Sequence, residues 1–178
     1  LLTATADLAG GNSYSLVAHL TADGTPTITP YSNDISTISA GQTRLVVRHD
    51  AAAPAVDVRA GGAVVLAGVT NPAGGVLNIP AGTVDADVVL AGTDTVVLGP
   101  ASLDLAEGSA TVVHAVGSAK DGTLALVSFV IHGLDSAPGG VPAGTGPADS
   151  AVPTIALVVL LPVGLAVAGV GGRRLYLS

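Results

Sequence analysis

A chain of 178 residues that is 49% hydrophobic but only 2% aromatic, with no Cys, Met or Trp, has room for one ordinary domain or for a domain plus an anchor. Its core must be assembled from Val, Leu, Ile and Ala. The formal charge is −7, and setting aside Arg173 and Arg174 at the far C-terminal end leaves four basic against thirteen acidic residues, a field that repels phosphate backbones and argues against nucleic acid as a partner. The lack of Cys excludes a disulfide framework and thiolate metal sites.

Period-two alternation rich in β-branched residues predicts strands over 13–19, 25–29, 43–49, 55–59, 63–69, 75–79, 84–91, 110–116 and 124–131. Turn chemistry separates them at Ala22-Asp23-Gly24, Asn71-Pro72, Pro80-Ala81-Gly82 and Lys120-Asp121-Gly122. Gly61-Gly62 and Gly74-Gly75 read as turn residues rather than phosphate cradles, because no helix start follows either pair. Short strands, a turn about every ten residues and no amphipathic helix between them predict an all-β fold, an antiparallel immunoglobulin-like β-sandwich, with a closed barrel as the alternative.

From Asp135 to Ser150 the chain turns to Pro, Gly, Ala and Ser, which offer too little apolar surface to offset chain entropy, so 135–150 is expected to be a flexible linker. Residues 151–170 follow without one charge. As a helix rising about 1.5 Å per residue they would span roughly 30 Å, the thickness of a bilayer's hydrocarbon core. Pro153 and Pro162 weaken that helix, although membrane helices tolerate proline better than soluble ones. Arg173 and Arg174 flank the span, and the positive-inside rule makes residues 171–178 a short basic cytoplasmic tail and places the β-domain outside the cell. Linker, span and basic tail are also the layout of a cell-wall sorting signal, but Val141-Pro142-Ala143-Gly144-Thr145-Gly146 has Val where Leu is required and one residue too many. A plain membrane anchor is the preferred reading over sortase processing.

Asp7-Leu8-Ala9-Gly10-Gly11 resembles Asp104-Leu105-Ala106-Glu107-Gly108 at an offset of 97, and Asp23-Gly24-Thr25 resembles Asp121-Gly122-Thr123 at an offset of 98. Two similar hairpins at near-constant spacing predict two copies of one unit. Residues 43–133 then form a complete β-sandwich unit and residues 1–36 the C-terminal part of a truncated first one, with roughly 55 residues expected upstream on the same repeat logic. No secretory signal is visible near Leu1.

The stretch from Arg48 to Gly62 carries Arg48-His49, Pro54 and Val56-Asp57-Val58. With these residues the chain resembles a bacterial family of extracytoplasmic β-domains known as domain of unknown function 4397, whose pattern is an apolar strand ending in Arg-x-x-His or similar, then Pro-x-x-Pro or a close variant, then a Val-Asp-Val strand; here Ala51 stands where a first Pro often does. Similarity is read over 43–133 and, in truncated form, over 1 to about 36. The resemblance implies a secreted or surface-anchored β-sandwich, often in tandem, with no established enzymatic activity.

His49, Asp50 and Asp57 could bind a divalent metal or supply a general base. The structural alternative is that His49 ends a strand, Pro54 fixes the turn, and Asp57 points to solvent or accepts hydrogen bonds that pin the turn. No Ser, Cys or second His lies at a spacing that builds a triad or ligand set, so turn-pinning is the reading adopted for Arg48, His49, Pro54 and Asp57. His19, His114 and His132 read as packed or surface imidazoles, Asp85 and Asp87 as a solvated strand face rather than a calcium site, and Tyr14 and Tyr31 as candidates for a binding surface. The expectation is a membrane-anchored cell-surface protein with a structural, adhesive or ligand-binding role, with no catalysis, cofactor or metal. Its partners would be membrane lipid through 151–170 and a cell-wall or surface protein or glycan. The alternative is an extracytoplasmic hydrolase or metal-dependent enzyme using His49 and Asp57.

Overall fold

The computed structural model describes residue 3, residues 5–135 and, by backbone alone, residues 155–158. Its strands are β1 (Ser13–Leu20), β2 (Pro26–Asn33), β3 (Gln42–His49), β4 (Val56–Ala60), β5 (Ala63–Val69), β6 (Gly74–Pro80), β7 (Gly82–Leu90), β8 (Val96–Leu105), β9 (Ala110–Val116), β10 (Ala125–Ile131) and β11 (Ile155–Val158). The protein is all-β, and the described residues contain no helix.

Two four-stranded sheets, ordered β10-β9-β3-β6 and β5-β4-β7-β8, pack face to face. Alternation sends Leu45 and Val47 of β3 and Val113 of β9 inward from one sheet, to meet Val58 of β4 and Leu105 of β8 from the other. Within these two sheets neighbours are antiparallel except at the centre of the first, where β3 and β9 run parallel with Leu45 beside Thr111 and Arg48 beside His114. This departs from the purely antiparallel expectation. Local alternation and turn residues specify hairpins, but a parallel pair needs a long crossover, here through the whole second sheet, and leaves no local sequence signal.

β8 lies where the alternation predicts no strand, and it carries Gly99-Pro100 in its interior. It lies at the edge of its sheet, where a missing backbone donor is tolerated, and the β7–β8 register shifts between Ala86 and Val88 to absorb the extra residue. Gly61 and Gly62 form the β4–β5 turn, both at positive φ. Gly74 and Gly75 instead begin β6, a correction to their reading as a turn. A Cβ on Gly74 would overlap the Val47 carbonyl oxygen and one on Gly75 the Leu66 side chain, so close approach of backbone and core sets these two residues.

The outer face of the β10-β9-β3-β6 sheet is covered as well. Hairpin β1–β2 lies over it, which buries Val46 and Val112 to 6% and 1% exposure although both point away from the sandwich core. Between the hairpin and β3, the Ile38 amide donates to the Leu134 carbonyl at 2.6 Å and Ile38 bridges Asp135, so the chain enters and leaves the second unit at one place.

The expected membrane span 151–170, linker 135–150 and basic tail 171–178 fall largely outside the described residues, as do Arg173, Arg174 and Val141–Gly146. Of the span, Ile155–Val158 are described, as a strand lying parallel on β1. Among the described residues no helix is long and apolar enough to cross a membrane.

Candidate functional site

The turn from β3 to β4 is held by His49, while Asp57 on β4 binds segments outside that turn, a correction to its expected role in pinning it. His49, 2% exposed, hydrogen-bonds through Nε2 to the Pro54 carbonyl at 3.0 Å, and its Nδ1 receives the Ala51 amide at 3.4 Å. Both contacts are satisfied at once by the neutral ring protonated on Nε2. Asp57 accepts the Gly68 amide at 2.7 Å and the Gly92 amide at 2.8 Å, tying the β5 bulge and the β7–β8 turn to β4. Those amides hold its carboxyl below the usual range, Gly92 contributing most. Pro54 is exposed at the turn. No hydrogen bond or ion pair joins His49 to Asp57 among the described residues. Next along β4, Arg59 forks onto Asp87 at 2.6 and 2.8 Å and reaches Asp94 at 3.1 Å. Asp87 is therefore an ion-pair partner, while Asp85 is exposed.

Asp50 faces elsewhere, and it is the centre of a second cluster. It has no solvent exposure, and its carboxylate receives His114 Nδ1 at 2.5 Å and the Tyr31 hydroxyl, with His19 Nε2 at 3.9 Å. Arg48, 5% exposed, donates to Asn33 Oδ1 at 2.8 Å and lies 4.1 Å from the centre of the Tyr31 ring. Burial lowers the Arg48 pKa, opposed by the neighbouring Tyr31 and Asp50 oxygens. Burial likewise drives the Tyr31 hydroxyl far above its ordinary value, reinforced by the hydrogen bond to Asp50. Four residues earlier on the same face of β3, Arg44 binds the Asp34 and Ser36 carbonyls at 2.9 and 3.1 Å. Asn71 donates to the Leu20 and Ala51 carbonyls at 2.8 and 2.7 Å.

These side chains form one seam. Arg44, Arg48, Asp50 and His114 project from the sandwich, and His19, Tyr31 and Asn33 from hairpin β1–β2. His114 sits between two rings, with Tyr31 edge-on at 5.9 Å and Phe129 stacked at 6.0 Å. Its Nε2 and the Nη1 of Arg48 are buried without a partner.

A cleft of about 400 Å³ opens beside the seam, walled by His19, Thr21, Asp23, Thr27, Thr29 and the Asn71-Pro72 turn. His19 Nδ1 contacts the Leu20 carbonyl at 2.8 Å and Nε2 contacts Thr29 Oγ1 at 2.8 Å. The nearest carboxylate, Asp50, approaches that same Nε2. A nucleophile–base–acid relay needs hydroxyl and carboxylate on opposite ring nitrogens, so this geometry does not build one. Among the described residues no group of three or more His, Cys, Asp or Glu is placed to hold a metal ion.

Of the residues singled out in the sequence, the structure brings Arg48, Tyr31, Asp50, His114 and His19 together at the seam and leaves His49 and Asp57 outside it, one at the end of β3 and the other on β4. Tyr14 hydrogen-bonds through its hydroxyl to the Ala9 amide at 3.2 Å, and His132 is exposed. Sequence reasoning missed Asp50 as a buried hub, read Asn71 only as a turn residue and gave Arg44 and Asn33 no role. The available signal was two arginines four apart on one face of β3, with Val46 between them on that face.

Residues 1–59 match the family model described as "Domain of unknown function (DUF4397)". The match takes in hairpin β1–β2 and the motif from Arg48 to Asp57, while residues 60–133, over which the resemblance was also read, lie outside it. No curated protein and no solved structure matches the chain.

Proposed function

We propose that this chain, a member of the DUF4397 family by its residues 1–59, is a membrane-anchored cell-surface protein. It would carry two tandem immunoglobulin-like β-units with a structural, adhesive or ligand-binding role and no catalysis. The observation that carries this reading is how the motif spends its polar atoms. His49 and Asp57 bind backbone at two turns, and Arg48 joins the seam, so the charged residues hold strands and layers in place. A helix over 151–170 flanked by Arg173 and Arg174 supplies the anchor, 135–150 the tether and 171–178 the cytoplasmic tail. Insertion into a bilayer requires that Ile155–Val158 leave the edge of β1, the strand pairing and the helix being alternative uses of the same apolar residues.

The test is fractionation of cells expressing the full-length protein, followed by protease treatment of intact cells. The expected result is a carbonate-resistant, detergent-extractable membrane protein whose β-domain is cleaved from outside. A soluble protein, or one protected from external protease, overturns the anchored, outward-facing reading. Substituting His49 and Asp57 by Ala tests the role. Lowered thermal stability is expected, whereas an unchanged fold that loses a hydrolytic or metal-dependent activity selects the enzyme instead.

A further inference from the structure

Hairpins β1–β2 and β9–β10 share one ladder. Moving β1 forward by 97 residues and β2 by 98 carries Ser13–Asn33 onto Ala110–Ile131, Ser15–Tyr31 onto Val112–Phe129 and His19–Thr27 onto Val116–Ala125, each a cross-strand pair in its own hairpin. The correspondence extends to faces. Ser15, Val17 and Tyr31 stand where Val112, His114 and Phe129 stand, and these are the residues that point into the seam from its two sides. Leu16 and Ile28 take the places of Val113 and Leu126, which belong to the sandwich core.

The two hairpins therefore meet through the same face. From this we infer that the outer face of the β10-β9-β3-β6 sheet is a unit-pairing surface, on which the like face of a neighbouring unit docks back to back. The inference rests on the tandem reading above for the identity of the neighbour. Each unit has one such face and spends it in the contact, so the pair is closed and does not propagate along a longer array.

The contact also selects its partner. Arg48 and Asp50 are buried charges that need polar groups from the opposite face. The first unit provides the Tyr31 hydroxyl, the Asn33 amide and, at a longer distance, His19. At the corresponding positions the second unit has Phe129, Ile131 and Val116, which carry no donor or acceptor on their side chains. A second unit facing another second unit would leave Arg48 and Asp50 of both without these partners, a mismatch that excludes the homotypic pair. The partner this surface fits is thus a β-hairpin of the same register with Tyr and Asn two apart on its second strand.

The experiment installs the second unit's own residues in the first, Tyr31→Phe with Asn33→Ile, in the full chain, and follows amide hydrogen exchange. The expected result is a loss of protection of about tenfold or more across residues 13–33, with amides of β4 and β7 unchanged, because docking is lost while the sandwich persists. Unchanged protection of 13–33 overturns the polar selection. Loss in step at β4 and β7 overturns docking as a separable event, since hairpin and sandwich would then be one cooperative body. The full reading frame tests the tandem reading separately: an upstream sequence without a β-unit removes the neighbour's identity but leaves the exchange result standing.

Discussion

Replacing Asp50 by Asn keeps the shape of the seam and removes its charge. The carboxylate, without solvent exposure, now accepts from the Tyr31 hydroxyl and from His114 Nδ1. An amide has one oxygen, which can keep Tyr31. Its nitrogen would then face the His114 Nδ1 proton, donor against donor, unless that proton moves to Nε2, a buried atom with no partner. A hydrogen bond to a charged group is worth about 1.5–3 kcal/mol, and leaving a buried donor without its partner costs about 1–3 kcal/mol. Since the amide recovers one bond, the expected loss is about 3 kcal/mol, or a fall in Tm of roughly 10 °C for a domain of this size. Urea and thermal denaturation at neutral pH measure it, and a double-mutant cycle with Tyr31→Phe should return a coupling of about 1–2 kcal/mol. An Asp50→Asn protein within about 0.5 kcal/mol of the parent, or a cycle with no coupling, would refute the seam as a source of stability.

Leu45→Ala, at a core position 1% exposed, should cost about 2–5 kcal/mol and lower the urea midpoint with no change in slope. Gly74→Ala sets a methyl group against the Val47 carbonyl oxygen; an overpacking cost of about 1–3 kcal/mol is expected in the same titration. The Asp57 carboxyl titrates below its ordinary value of 3.8 in the folded protein. Its stabilisation is therefore complete above that value and disappears as the pH falls through the lowered folded one. A Tm profile from about pH 6 to about pH 2.5 should show an acid limb that is shallower in Asp57→Asn, and parallel profiles would contradict the assignment.

Nine of the described strands were legible because period two and turn residues are local signals, and β5 and β9 were placed to the residue. β8 holds Gly99-Pro100 in its interior, a pair that strands accommodate at a sheet edge or a bulge, and neither of these is visible in the local sequence. The β3–β9 pairing was hidden because residues about as far apart as Asp50 and His114, 64 positions, must be brought together by the rest of the fold. The seam failed for a related reason. Arg44, Val46 and Arg48 alternate with Leu45 and Val47, and by that pattern their face should be wet. It is dry because a further layer, drawn from residues 13–33, lies over it. Alternation identifies which residues share a side of a strand, but not what covers that side. His49 acts within the turn that its own sequence creates, whereas the partners of Asp57, Gly68 and Gly92, lie 11 and 35 positions away and leave no mark beside it in the sequence.

The Ile38–Asp135 bridge has a mechanical consequence. Because the chain enters and leaves the second sandwich at that point, tension applied to that sandwich through residues 37 and 135 would run across the short clamp of Ile38, Leu134 and Gly108. The β-sheets hang beside this load path as a side loop. A pull would first test a few backbone hydrogen bonds and reach the core ladder only after they yield, so in single-molecule extension a small early rupture should precede the main one.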